Sequence, residues 1–278
     1  HNLVFDSSRG VNNRLATNLT IAEDTGAGYG TVSAFNSDGF SVTNGGNTGT
    51  NTLTYVAWQW KCNGGTTSTN TDGDINSTVQ VNQDAGFSIV TYQPSNTTSR
   101  NIGHGLGATP GLIIIRNRTR VENWRLWHHS IGQGGAILDN ETAYNSGTSN
   151  LVNTVTSTYF NVGGDFSVNG GYPIVAWCFA EKQGYSKFGK YYGNSHADGA
   201  FVYTGFKPAW VMVKKSSDAG TSWMIQDSKR SITNPVTHRL KANSNVAEAT
   251  NIDSMDFLSN GFKIRVNDSS WNTAGTYI

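Results

Sequence analysis

Charge is in short supply: Asp, Glu, Lys and Arg make up 14% of the 278 residues, where an ordinary soluble domain carries about 25%. What charge there is balances, with 20 Lys and Arg against 19 Asp and Glu. A chain with no field of one sign has nothing to draw in a phosphate backbone, so no nucleic acid is expected as a partner. Long apolar runs are missing too. Stretches such as IVAWCFA at 174–180 fall far short of the ~20 residues that span a bilayer. No charged-then-apolar leader opens the chain, so no membrane insertion is expected. Ala, Leu, Glu, Lys and Arg, the builders of long helices, are sparse outside short patches, which argues for almost no helix. Cysteine occurs only at Cys62 and Cys178, which are not equivalent positions in the repeat described below. Buried or idle thiols are therefore expected, and no disulfide framework.

Patterns that carry chemistry are equally thin. His104, His128, His129, His196 and His238 have no His or Cys partner at zinc spacing, and surface or turn histidines are expected. The string Gly103-His104-Gly105-Leu106-Gly107 leads into Ala-Thr-Pro and a strand, whereas a phosphate loop must open a helix. There is no G-x-S-x-G elbow, and the carboxylates are too scattered to nominate a glycosidase pair. Asp72-Gly73-Asp74 has the opening spacing of a calcium loop but no closing Glu. No enzymatic activity, no cofactor and no metal are expected.

What the chain does hold is glycine, amide and hydroxyl residues, and aromatics. It has 32 Gly, 8 Trp, 11 Tyr and 12 Phe beside only 5 Pro, the composition of a turn-rich β protein. N-x-S/T triplets at Asn18, Asn76, Asn96, Asn117, Asn140 and Asn267 would mark glycosylation in a eukaryotic secretory protein. In a chain so rich in Asn and Thr, chance produces them as well.

One stretch recurs. Residues 110–129, PGLIIIRNRTRVENWRLWHH, are echoed at 208–227 as PAWVMVKKSSDAGTSWMIQD. Each copy is an apolar run after a proline, a polar turn and a run led by Trp124 or Trp223, which predicts an antiparallel hairpin. The likeness extends without a gap from 86–116 onto 184–214, where Gly86 meets Gly184, Ser88 meets Ser186, Asn96 meets Asn194 and Pro110 meets Pro208. Near the start, LVFDSSRG at 3–10 matches MIQDSKRS at 224–231. DGFSV at 38–42 matches DFSV at 165–168 and GFKI at 261–264, and Tyr55-Val56-Ala57-Trp58 matches Ile174-Val175-Ala176-Trp177. The period is about 100 residues.

These matches divide the chain into the back of a first repeat at 1–62, a linker or insertion at 63–85, a complete second repeat at 86–183, and a third at 184–278 that breaks off in its last strand. A chain that opens at His1 and stops inside a strand pattern is expected to be part of a longer protein. Five to eight short strands per repeat predict an all-β fold of tandem β-sandwich units, jelly-roll or lectin-like, of about 100 residues each, with little or no helix. Aromatics at shared positions are assigned to the core: Trp124 with Trp223, Trp58 with Trp177, and Phe40 with Phe166 and Phe262. Where the copies differ, Lys190, Tyr191, Tyr192 and His196, together with Trp271 in a hydrophilic turn, are the candidate contacts for a surface ligand or a sister subunit.

The segments IGHGLGATPGLIIIRNR, WRLWHHSIG, EKQGYSKFGKYYGNSHADGAFVYTGFKPAWV, WMIQDSKR and FLSNGFKIR resemble a repeat found in structural proteins of tailed bacteriophages, chiefly marine and cyanobacterial ones, often in tail fibres. The resemblance covers 86–278 closely and 1–62 more loosely. It implies a non-enzymatic virion component on the particle exterior, with other virion proteins as partners, a homotrimer as assembly and a host cell-surface glycan as a further partner. It transfers no catalytic residue. A decoration or knob without receptor role, and a polysaccharide-degrading tailspike, are the alternatives.

Overall fold

A computed structural model describes residues 1–26, 28–95, 98–147 and 150–278; Asn96, matched to Asn194 in the repeat, lies outside them. Among the described residues the fold is nearly all β, as the composition predicts. The first part holds β1 (Leu3–Val4), β2 (Leu15–Ala16), β3 (Val32–Phe35) and β4 (Phe40–Val42). The middle holds β5 (Ser68–Asn70), β6 (Ser77–Asn82), β7 (Phe87–Tyr92), β8 (Arg100–Gly103), β9 (Pro110–Asn117), β10 (Arg125–His128), β11 (Gly134–Ile137), β12 (Asn145–Ser146), β13 (Val152–Val155), β14 (Tyr159–Val162), the short helix α1 (Phe166–Asn169) and β15 (Ile174–Ala180). The last part holds β16 (Tyr191–Gly193), β17 (Phe201–Tyr203), β18 (Trp210–Val213), β19 (Met224–Asp227), β20 (Leu240–Lys241), β21 (Met255–Leu258), β22 (Gly261–Ile264) and β23 (Gly275–Tyr277).

The middle strands form one sheet in the order β5-β6-β7-β15-β9-β10-β11-β13-β14-β8, with β12 alongside β11. Its two ends meet. Ile75, between β5 and β6, bridges in parallel to Ile102 of β8; the Asp74 amide donates to the Asn101 carbonyl at 2.9 Å, and the Asn101 amide donates to the Asp74 carboxylate at 2.8 Å. The sheet is therefore a nearly closed barrel. Residues 68–82, expected as linker, supply the hairpin that closes it. Strand β15 shows why the interior is full: Ile174, Ala176, Cys178 and Ala180 line the barrel core, while Val175, Trp177 and Phe179 face outward into a second core shared with the flanking repeats. A strand buried on both faces reads as a continuous apolar run, which IVAWCFA is.

The last repeat follows the same path with shorter strands. Strand β16 pairs β23; β23 continues onto the end of β18 through Lys215–Tyr277 and a reciprocal pair of amide bonds between Lys214 and Ile278; then come β18-β19-β20, the bridge Val236–Met255, and β21-β22-β17. Ile174 opposes Tyr92 as Tyr277 opposes Tyr191, and Phe160 opposes Ile102 as Phe262 opposes Val202, so the structure shifts the ungapped likeness of 86–116 to 184–214 by one residue at Tyr191 and by two at Val202.

This corrects three sequence expectations. The counterpart of β22 is β14, not 165–168. The stretch DFSV is instead a helix turn, capped by the Asp165 carboxylate accepting the Ser167 amide, so Phe166 is exposed and is no core counterpart of the buried Phe262. Tyr55–Trp58 is not a strand, since it lacks the neighbours that hold β15 on both sides.

Across the repeats, equivalent groups bond head to tail. The Trp124 indole N–H donates to the Ala16 carbonyl at 2.9 Å, and the Trp223 indole N–H to the Ile137 carbonyl at 2.9 Å. Asn2, which occupies the tryptophan position in the first repeat, donates through its amide to the Lys241 carbonyl at 2.7 Å. Middle grips first, last grips middle, and first grips last. Flanking bonds repeat the pattern: the Glu23 amide donates to the Arg118 carbonyl, and the Tyr144 amide to the Ser216 carbonyl. The result is a closed cyclic arrangement of three related pieces around a shared apolar centre that includes Leu15, Leu126, Trp124, Trp223 and Ile225.

Candidate functional site

The surface residues singled out by sequence fall at the start and edge of the last repeat. Tyr192 on β16 is 67% exposed, and Lys190 and His196 are exposed beside it. Lys190 reaches back to the middle repeat, its ammonium donating to the Ser130 carbonyl at 3.2 Å. His196 sits in a tight polar loop: its Nδ1 accepts the Asp198 amide, its own amide donates to Asn194, and its carbonyl accepts from Asn272. A hydrogen bond and the charge of Lys263 hold the Asp198 carboxyl below the usual range.

Two of the five candidates prove structural. Trp271 is 0% exposed and packs in the core of the last repeat with Phe257, Phe262 and Ile264. A hydrophilic turn thus hides an indole that has folded back onto its own sheet, where apolar area is removed from water. Tyr191 faces the same core. It stacks on Tyr277 with ring centres 4.9 Å apart and planes 9° apart, and its hydroxyl donates to the Trp271 carbonyl at 2.7 Å. Burial pushes its phenol well above the usual value.

The structure adds two residues that the sequence reading passed over. Phe201 (46% exposed) and Tyr203 (66% exposed) flank the half-buried Val202 on β17. Alternation in Phe201-Val202-Tyr203 was the available signal, since it places the two rings on one face and the valine on the other. Tyr192, Phe201 and Tyr203 thus lie on the two strands that border the last repeat's interior, with Lys190 and His196 nearby in the chain. Flat rings beside amide and ammonium donors can stack on and hydrogen-bond a polar ligand, or be covered by another protein.

Elsewhere several ion pairs are buried. Asp6 Oδ1 accepts the amides of Ser8 and Arg9 while Oδ2 pairs the Arg9 guanidinium at 2.6 Å. Asp227 holds Lys229 and Arg230 identically, also at 2.6 Å. Arg9 then lies 5.5 Å over the Trp177 ring and Arg230 5.5 Å over Trp58, each reaching another repeat.

His128 stands at the same position in the middle repeat and is buried, as is His104 in the loop after β8, so neither is a surface histidine, although surface or turn positions were expected. His104 is fixed by the Leu106 amide, which donates to its Nδ1. The Ser130 amide donates to His128 Nδ1 at 3.2 Å. Burial, with the neighbouring His129, lowers the His128 pKa to about 3. Asp72 and Asp74 are spent on Asn70 and Asn101, and among the described residues no three His, Cys, Asp or Glu side chains cluster as metal ligands. No helix among them is long and apolar enough to cross a membrane.

Residues 1–278 match the family described as a domain of unknown function, DUF7483. The chain belongs to the DUF7483 family. No curated protein and no solved structure matches it.

Proposed function

We propose that this chain is a non-enzymatic structural module of a phage virion, a tail-fibre element that presents or spaces a host-recognition surface on the particle exterior. The observation that carries the reading is the head-to-tail set of Trp124–Ala16, Trp223–Ile137 and Asn2–Lys241 bonds. Three related β pieces locked in this way make a stiff body, and buried pairs such as Asp6–Arg9 and Asp227–Arg230 add to its cohesion. In this reading the tandem repeats are β-sandwich-like units that share a core, other virion proteins are the neighbours, and the assembly is a homotrimer. A cell-surface glycan is the ligand class that the exposed rings Tyr192, Phe201 and Tyr203 with the donors Lys190 and His196 would suit. Cyclic display raises avidity over single-site affinity by about 10² to 10⁴.

The test has two arms. Antibodies against the chain should label appendages of particles by electron microscopy; unlabelled particles that contain the protein internally would overturn the placement. Replacing Tyr192, Phe201 and Tyr203 by Ala should reduce adsorption of particles to host cells with the melting temperature unchanged. Adsorption unchanged in that triple variant would remove the recognition role and leave the decoration reading.

A further inference from the structure

The last repeat is open on the side where the middle repeat is closed. In the middle repeat, β6 lies along the free edge of β7 from Ser77–Tyr92 to Asn82–Phe87, and the same hairpin touches β8 through Ile75–Ile102. Tyr92 and Ile102 are buried beneath it. No such hairpin precedes β16, because β15 ends at Ala180 and β16 begins at Tyr191 with no strand between them. Among the described residues, strands β16 and β17 therefore pair on one side only, with β23 and β22. Tyr191 and Val202, at the positions of Tyr92 and Ile102, are left partly exposed. Side chains along this opening have changed to match. Register places Tyr192, Phe201 and Tyr203 where the middle repeat has Gln93, Asn101 and Gly103. Of these three, Asn101 and Gly103 meet the closing hairpin. Two unpaired strand edges rimmed by exposed aromatic rings form a surface that accepts another extended chain.

The same chain carries the opposite deficit. Residues 53–57, LTYVA, run without turn or bend and have no strand partner among the described residues. Leu53, Tyr55 and Val56 are 55%, 48% and 37% exposed. The sequence counterparts of Tyr55 and Val56, Ile174 and Val175 at the start of β15, are bonded on both sides. Alternation gives Leu53 and Tyr55 to one face and Val56 to the other. A strand here can thus meet half-buried Tyr191 and Val202 with one face and the rim of exposed rings with the other. The hairpin at 68–82 cannot be lent in this way, since Val79 is already buried in its own barrel and Gln80 is bonded to Ser7 and Ser8 of the first repeat.

We propose that the chain self-associates head to tail, with residues 53–57 of one copy added as a strand in the opening between β16 and β17 of the next. Two different surfaces meet, so the contact is heterologous and generates a closed ring or an open filament. This inference concerns the chain alone and stands apart from its place on any particle.

Sedimentation of the intact chain should show mass rising with concentration. Val56→Asp and Tyr203→Asp should each sediment as monomers. Mixed in equal amounts they should form a one-to-one dimer, because each retains the surface that the other lacks. Leu53→Lys with Phe201→Lys is a second pair that should behave alike, and unchanged melting temperatures show that all four variants are folded. A monomeric parent chain at its highest soluble concentration would overturn the inference. So would variants that associate like the parent, or a mixture that stays monomeric.

Discussion

At the scale of single residues, the two repeat tryptophans do more than fill space. Trp124 stacks on Trp177 with ring centres 5.6 Å apart and spends its N–H on a neighbouring repeat. Phenylalanine would keep much of the packing and remove this donor, while the Ala16 carbonyl keeps the Leu19 amide at 3.2 Å, so Trp124→Phe and Trp223→Phe should each destabilise by about 0.5–1.5 kcal/mol in urea unfolding.

A second expectation follows from His128. Burial, with His129, holds its folded pKa at about 3, below the ordinary value of 6.5. The folded state therefore keeps it neutral while the unfolded chain takes up a proton below about pH 6.5. Stability should fall as pH drops through that value, by about 2 kcal/mol from pH 7 to pH 5 for this one group. His104, also lowered by burial, adds in the same direction. Burial raises the Glu23 and Asp227 carboxyls, but hydrogen bonds from Arg118 and Arg9, and from Arg230, outweigh it and leave both depressed. Their contribution is present above the ordinary carboxylate range and is lost only at more acid pH. Denaturant titrations should therefore show a slope between pH 7 and 5 that shrinks in His128→Gln.

At the scale of elements, barrel closure depends on a glycine that the sequence displays as part of an acidic turn. A Cβ on Gly73 would stand 2.2 Å from the Asn101 carbonyl oxygen, a backbone atom that cannot swing away. Gly73→Ala should therefore push the β5–β6 hairpin off β8 and cost about 1–3 kcal/mol. Faster hydrogen exchange at Asp74 and Asn101, with β9 and β15 still protected, is the expected signature; unchanged exchange at those two amides would mean that the hairpin does not depend on this close approach. Asp72-Gly73-Asp74 is thus better explained by a tight strand crossing than by a cation.

At the scale of the whole molecule, the cyclic contacts make the repeats depend on one another. Asn2 is the smallest of the three gripping side chains, and its amide serves the carbonyls of Lys241, Ala242 and Ser244 together. Asn2→Ala should loosen the first-to-last junction while leaving the other two intact. Calorimetry should then split a single unfolding transition into two, the earlier one belonging to residues 1–62. One unchanged transition would show that the shared apolar centre, not these bonds, couples the repeats.

Class and periodicity were legible in the chain itself. Scarce helix formers, many glycines and runs such as IVAWCFA impose an all-β structure, because strand preference and apolar spacing are local properties. The Trp124–Trp223 correspondence and the Asp6–Arg9 and Asp227–Arg230 turns were likewise visible, since each is written within a few adjacent residues. Only the tertiary structure decided what depends on neighbours far along the chain. It buried Trp271 beneath a polar turn, made Phe166 a helical surface residue although its sequence matches a strand, and left Tyr55–Trp58 unpaired although IVAW is a central strand. It turned 68–82 from apparent linker into the piece that closes a barrel. In each case the same local pattern meets different partners, and a strand exists only where another backbone stands beside it to take its hydrogen bonds.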